Sequence, residues 1–112
     1  MNAIPHMAEI CRRVVAAYRK AYGDDIEAIY LYGSYARGDY DEDSDIDFAA
    51  IVKGDRLDVQ KKRWQLWSDA NEIDLAFDVL TSPTAIPAGD FEKYKTQSGY
   101  YKNILKEGRR LE

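Results

Sequence analysis

Apolar residues recur every three or four positions in the first part of the chain and every second position further on, and each change of period marks a boundary between elements. Over residues 4–22, Ile4, Met7, Cys11, Val14, Tyr18 and Tyr22 fall on one helical face, with Glu9, Arg12, Arg13, Arg19 and Lys20 mostly off it. That spacing predicts an amphipathic helix, with Pro5 tolerated in its first turn and Gly23 suited to its end. Residues 26–32 are few and rich in β-formers, which predicts a strand with Gly33 at its carboxyl end. A short helical turn over 34–38 and a polar stretch then lead into a second strand at 45–52.

After a turn at 53–55, residues 56–70 read as a helix, with Leu57, Gln60, Lys61, Trp64, Trp67 and Ala70 near helical spacing. Both tryptophans are assigned to the core rather than to a stack under a ligand. Residues 73–80 alternate Ile73, Leu75, Phe77 and Val79 with Asp74, Ala76 and Asp78, the period of a strand with one buried face. Thr81-Ser82-Pro83 and the run from Ile86 to Gly89 predict a loop. Asp90 suits the cap of a short helix, and residues 100–106 suggest another, stopped by Gly108.

Composition narrows what these elements can serve. With 46% hydrophobic and 32% charged residues, the chain has the make-up of a folded protein rather than a disordered one. At 112 residues it is expected to form one domain over 1–112, too short to carry a separate substrate domain, so a second substrate is expected on another chain. No apolar run approaches the ~18 residues that span a bilayer, and the N-terminus lacks a signal-peptide pattern, which points to the cytoplasm. A formal net charge of −4 argues against general affinity for nucleic acid, which basic surface drives. Cys11 is the single cysteine and falls on the apolar stripe, so it reads as a buried, inert thiol. His6, the only histidine, has no cysteine or second histidine to seed a zinc site and reads as a surface or capping residue.

Much of the negative charge gathers at Asp39, Asp41, Glu42, Asp43, Asp45 and Asp47. A calcium loop begun at Asp39 or Asp41 fails, because its sixth position is Ser44 or Ile46 instead of glycine and its twelfth is Ala50 or Val52 instead of glutamate. Asp39 to Asp43 are therefore assigned to a solvated loop. Asp45 and Asp47 stand two apart on the following strand and present both carboxylates to the same side. Two like charges in that position repel unless a cation sits between them, and Mg2+ takes oxygen ligands while keeping open positions for phosphates.

Gly33, with no Cβ, lets a ligand approach the backbone, and Ser34 offers a hydroxyl beside N–H groups to an anion. Arg37, one turn on, has two roles open to it: reaching a phosphate, or tying the acidic loop to the scaffold. The strand at 73–80 would add a third carboxylate. Together these parts describe metal-dependent phosphoryl or nucleotidyl transfer. Asp45 and Asp47 would hold one or two Mg2+, and Gly33 and Ser34 the outer phosphates. The third acid would complete the metal site or act as general base.

These residues also carry a family resemblance. The run Gly33-Ser34-Tyr35-Ala36-Arg37-Gly38, followed after a ten-residue spacing from Ser34 by the joint Ser44-Asp45-Ile46-Asp47-Phe48, resembles the signature of the minimal nucleotidyltransferases of the DNA polymerase beta superfamily. The resemblance implies an α/β (α+β) fold, a mixed sheet with helices packed on one face and the active site at its edge. It implies Mg2+-dependent transfer of a nucleoside monophosphate, AMP from ATP, to a hydroxyl. Gly33 and Ser34 would contact phosphate, with Arg37 at the nucleotide. Asp45 and Asp47 would bind metal with a third acid that is Asp78 or Asp74, and Asp78 is favoured because Phe77-Asp78-Val79-Leu80-Thr81 looks more like the family's third-acid strand.

Many small members are similar to antitoxins encoded with a helical ribonuclease toxin of the HEPN class, which they neutralise by adding AMP to a tyrosine. Such a partner would supply the acceptor hydroxyl. Two other readings stand beside it: a non-catalytic module that neutralises a toxin by binding, and a small-molecule transferase acting on an antibiotic hydroxyl. Oligomerisation is compatible with each.

Overall fold

The computed structural model describes residues 6–112, so the expected helix positions Ile4 and Pro5 lie outside the described residues. Helix α1, Met7–Tyr22, buries Ile10, Val14, Ala17, Tyr18 and Tyr22 at helical spacing, and Gly23 ends it with φ 57°. His6 stands at its N-cap position, exposed, with its ring 5.8 Å from that of Phe77. Cys11 is half-buried against the core, and burial raises its thiol pKa, which suits an inert group.

Strand β1, Ile26–Tyr32, is followed by a one-turn helix α2, Ser34–Arg37, and strand β2, Ile46–Val52. Then come helix α3, Arg56–Phe77, strand β3, Thr81–Pro87, helices α4, Ala88–Tyr94, and α5, Gly99–Glu107, and a two-residue strand β4, Arg109–Arg110. The sheet order is β3-β2-β1-β4, with β2 antiparallel to β1 and parallel to β3. Alternation along β2 divides its side chains between two faces. Ile46, Phe48, Ala50 and Val52 join Ile29 and Leu31 under α1 and α3. Ala49 and Ile51 join Ala28 and Ile86 in a smaller cluster with Phe91 of α4 and Ile104 of α5.

Residues 56–87 depart from the expectation. The expected strand at 73–80 is the last turn of α3 and its C-cap, and the strand lies instead at Thr81–Pro87, where a loop was expected. Alternation misleads here because Ile73 and Phe77, two of the alternating residues, also stand four apart. They continue the helical face formed by Val59, Leu66 and Ala70. The prolines that suggested a loop are tolerated because β3 is an edge strand.

The outer side of that edge is closed by α3. The Thr81 N–H donates to Asp74 Oδ1 (2.8 Å), Pro83 and Pro87 have no N–H, and the Pro83 and Ala85 carbonyls accept from Trp67 Nε1 (3.3 Å) and Arg63 Nη2 (3.0 Å). An edge sealed in this way cannot recruit another strand. The tryptophans are accordingly not core residues as expected: Trp64 is 78% exposed, opposite the buried face of α3, and Trp67 is 53% exposed on its flank at the sheet edge.

Asp74 also accepts from Thr81 Oγ1 at 2.7 Å, so one carboxylate holds the start of β3 to the end of α3. Removing it leaves a part-buried N–H and hydroxyl without their acceptor. Asp74→Ala is expected to destabilise the fold by about 1–3 kcal/mol, measured by urea denaturation, with a loss below about 0.5 kcal/mol contradicting that role.

Candidate active site

The site grows from the open end of the β1–β2 hairpin. The last cross-strand pair is Tyr32 with Asp47, and residues 33–45 make the connection. Its first part is wound tightly: the Gly33 carbonyl accepts from the N–H groups of Ala36 and Arg37 (3.1 Å each), and the Ser34 carbonyl from Gly38 (2.8 Å) and Asp39 (3.1 Å). Tyr35 anchors this turn by burying its ring, on which Tyr40 stacks at 4.2 Å. Further on, Asp41 Oδ1 accepts from the Asp43 N–H (2.9 Å) and the Ser44 hydroxyl (3.2 Å), a local turn that delivers Asp45 to the strand. Asp39, Asp41, Glu42 and Asp43 are exposed, as a solvated loop should be.

Gly33 and Asp47 meet directly. A Cβ on Gly33 would collide with Asp47 Oδ2 and stand 3.3 Å from Asp47 Cγ, and φ at Gly33 is +75°, a region that L side chains rarely adopt. The approach that the sequence suggested for a ligand is therefore made by the chain's own carboxylate. Asp47 sits half-buried against that backbone while Asp45 is exposed at the strand mouth. Burial raises the Asp47 pKa first, the Asp45 charge raises it further, and the Arg37 guanidinium offsets part of this.

Arg37 fulfils the second of its two expected roles. Its Nε donates to Asp39 Oδ2 and its Nη1 to Glu107 Oε2, both at 3.1 Å, so it ties the acidic loop to α5 while its charge still reaches Asp47.

The third carboxylate is placed otherwise than expected. Asp74 is committed to Thr81, and Asp78 is the C-cap of α3 with φ 53°, so the shared strand face that would have joined either to Asp45 and Asp47 does not exist. Among the described residues no three histidine, cysteine or acidic side chains converge on one point. The residue paired with Asp47 on β3 is Ser82, whose hydroxyl donates to Asp45 Oδ2 at 3.3 Å.

On the same face the Tyr32 and Tyr100 hydroxyls share a hydrogen bond of 3.0 Å. Tyr100 is joined to Thr84 Oγ1 at 3.2 Å, and Thr84 Oγ1 donates to the Phe48 carbonyl at 2.9 Å. Burial, Tyr100 and Asp47 all push the Tyr32 phenol up, which keeps it neutral. Sequence reasoning missed Ser82, Tyr32, Thr84 and Tyr100. Only recognition of β3 as a strand could have found Ser82 and Thr84, since their alternation with the buried Thr81, Pro83 and Ala85 is the sole signal.

The donor set fits a hard divalent cation. Two carboxylates share one side of a strand, one of them half-buried and raised by the other, and the nearest cationic side chain is already engaged by two other acids. A carboxylate whose folded pKa lies above its unfolded value contributes stability below the unfolded pKa, and that contribution is lost as pH rises through the folded pKa. In chelator, Asp47→Asn is expected to raise the thermal midpoint at pH 7 and to flatten its pH dependence across the carboxylate range. An unchanged or lower midpoint contradicts it. Gly33→Ala, by contrast, is expected to cost at least about 1 kcal/mol in chemical denaturation, from backbone conformation alone.

Residues 15–111 match the family described as Polymerase beta, Nucleotidyltransferase. Two proteins of Methanocaldococcus jannaschii, both named as protein adenylyltransferases, are similar. One is 40% identical over 60 residues, covering 54% of this chain and 59% of its own length. The other is 33% identical over 100 residues, covering 89% of this chain and 92% of its own. Among solved structures, a toxin–antitoxin crystal structure with AMP-PNP aligns with a TM-score of 0.58 at 20% identity, over 91% of this chain and 72% of that one. A tri-AMPylated Shewanella oneidensis HEPN toxin in complex with an MNT antitoxin aligns with a TM-score of 0.52 at 16% identity, over 94% and 71%. At these identities the structures speak for the fold. Sequence match, mixed sheet and carboxylate pair agree: the chain belongs to the polymerase beta nucleotidyltransferase family.

Proposed function

We propose that this chain is a Mg2+-dependent nucleotidyltransferase that moves AMP from ATP to a tyrosine hydroxyl of a helical, HEPN-type partner, as the antitoxin of a toxin–antitoxin pair. The observation that carries the reading is the placement of Asp45 and Asp47 on one side of β2, with the Asp47 charge only partly offset. A half-buried carboxylate with a second one beside it gains most from a divalent cation. The protein adenylyltransferase names of the two relatives support the reaction. The AMP-PNP and AMPylated-toxin complexes of the structural relatives support the nucleotide and the partner class.

In this reading Asp45 and Asp47 would hold the cation, which would supply neutralisation of the triphosphate and polarisation of its phosphoryl oxygens. Gly33 and Ser34 bind the outer phosphates at the turn, and Arg37, fixed by Asp39 and Glu107, keeps a positive charge beside them. The acceptor hydroxyl oxygen forms a bond to the α-phosphorus as the bond from that phosphorus to the pyrophosphate oxygen breaks. Pyrophosphate and the hydroxyl proton are released. An ATP-using reaction and a lone cysteine suit the cytoplasm.

Incubation with Mg-ATP labelled at the α-phosphate and the partner protein is expected to label the partner. Asp45→Ala and Asp47→Ala should each reduce labelling more than about a hundredfold while circular dichroism stays unchanged. Labelling that survives both changes would falsify the metal assignment. Neutralisation of the toxin by an Asp47→Ala chain in cells would favour the binding-module reading over catalysis.

A further inference from the structure

The parallel register of β2 and β3 puts Ser82 beside Asp47, on the sheet face that carries the carboxylate pair. Neighbouring strands lie about 4.8 Å apart and paired residues point the same way. A side chain at position 82 therefore lies on the face of the carboxylate pair, and its hydroxyl donates to Asp45 Oδ2 at 3.3 Å. Neither candidate third acid competes for the place. Asp74 Oδ1 accepts two hydrogen bonds from Thr81, and Asp78 closes the C-terminus of α3 in a left-handed conformation.

We propose that Ser82 is the third member of the metal site: a positioning residue that holds Asp45 through its Oδ2 and leaves Oδ1 free for the cation, so that two carboxylates and no third acid of this chain bind the metal. The proposal rests on the metal reading above. Its chemical consequence concerns charge. Two carboxylates balance one divalent cation and leave no surplus negative charge, whereas three would hold the free ion more tightly. A two-carboxylate site gains its cation most favourably when a triphosphate adds its own oxygens and charge. The metal and the nucleotide then enter together, as the magnesium complex of a nucleoside triphosphate.

The test uses the full chain without nucleotide and reads Mn2+ binding by electron paramagnetic resonance, with Mg2+ competing. Ser82→Asp should tighten binding at least about tenfold, since it supplies the missing charge. Ser82→Ala should weaken it about tenfold, because Asp45 loses the partner that orients it. Asp78→Asn should leave affinity within about twofold, and circular dichroism identifies which variants are folded. With Mg-AMP-PNP present, the wild-type chain should bind metal more tightly than alone, and the gain from Ser82→Asp should shrink.

Loss of binding in folded Asp78→Asn would overturn the proposal by identifying a third acid. So would an affinity unmoved by Ser82→Asp. If Asp45→Ala and Asp47→Ala also leave Mn2+ binding untouched, the carboxylate-pair reading itself fails. That result separates its failure from the failure of the Ser82 assignment.

Discussion

The contact between the Gly33 backbone and the Asp47 carboxylate is the constraint around which this structure is arranged. Antiparallel pairing of β1 with β2 brings Tyr32 opposite Asp47, and the next residue must turn away immediately while leaving room for an oxygen that a Cβ would strike. Only glycine meets both demands, because φ at this position is positive and the space is already filled. The turn and the strand thus fix one another. The register of the hairpin decides where the carboxylate lies, and the carboxylate decides what residue can make the turn.

That arrangement is tolerable only because the rest of β2 is so thoroughly buried. Ile46 and Phe48, the neighbours of Asp47, pack into the core under α1 and α3 with almost no exposure, as do Ala50 and Val52. A one-residue slip of β2 would turn Ile46, Phe48, Ala50 and Val52 out of that core and drive the Asp47 carboxylate into it. The apolar face therefore pins the acidic one. Tyr18 extends the same link across the sheet: its buried hydroxyl donates to the Thr84 carbonyl at 2.7 Å, joining α1 to the strand that carries Ser82. Packing on one side thereby controls geometry on the other.

The parts legible in the sequence were those in which local pattern and tertiary role agree. Gly33 and Ser34, the solvated Asp39 to Asp43 and the paired Asp45 and Asp47 belong to a hairpin whose strands are short, apolar and bounded by turn residues, so local composition locates them. The segment from Ile73 to Pro87 failed for a physical reason. Ile73 and Phe77 satisfy both a two-residue and a four-residue period, and Pro83 and Pro87 look like breakers until the strand is known to be at the sheet edge. Edge position is a property of the whole sheet, as is the capping of that edge by Trp67 and Arg63 from α3. The exposure of Trp67 follows from the same cause, since a residue that guards an edge cannot also lie in the core. Once β3 is misplaced, the third side chain at the site is misread as well, because only strand register assigns Ser82 to it.

Charge connects these observations to the proposed chemistry. The open end of the hairpin gathers Asp45 and Asp47, and the protein places one guanidinium near them, already shared between Asp39 and Glu107. A cation free to move onto Asp47 would quench the field that draws a metal, whereas one tethered at a distance softens the repulsion without removing it. Burial first and the Asp45 charge second raise the Asp47 pKa, and Arg37 offsets only part of this. Glu107 belongs to the last turn of α5, followed by Gly108, whose backbone lies so close to the Ile104 carbonyl and the Tyr30 ring that a Cβ would not fit. The contact with Tyr30 sets the end of α5 beside β1, and with it the acid that holds Arg37. The side chain that tethers the guanidinium near the carboxylate pair is thus positioned by packing remote from it in sequence.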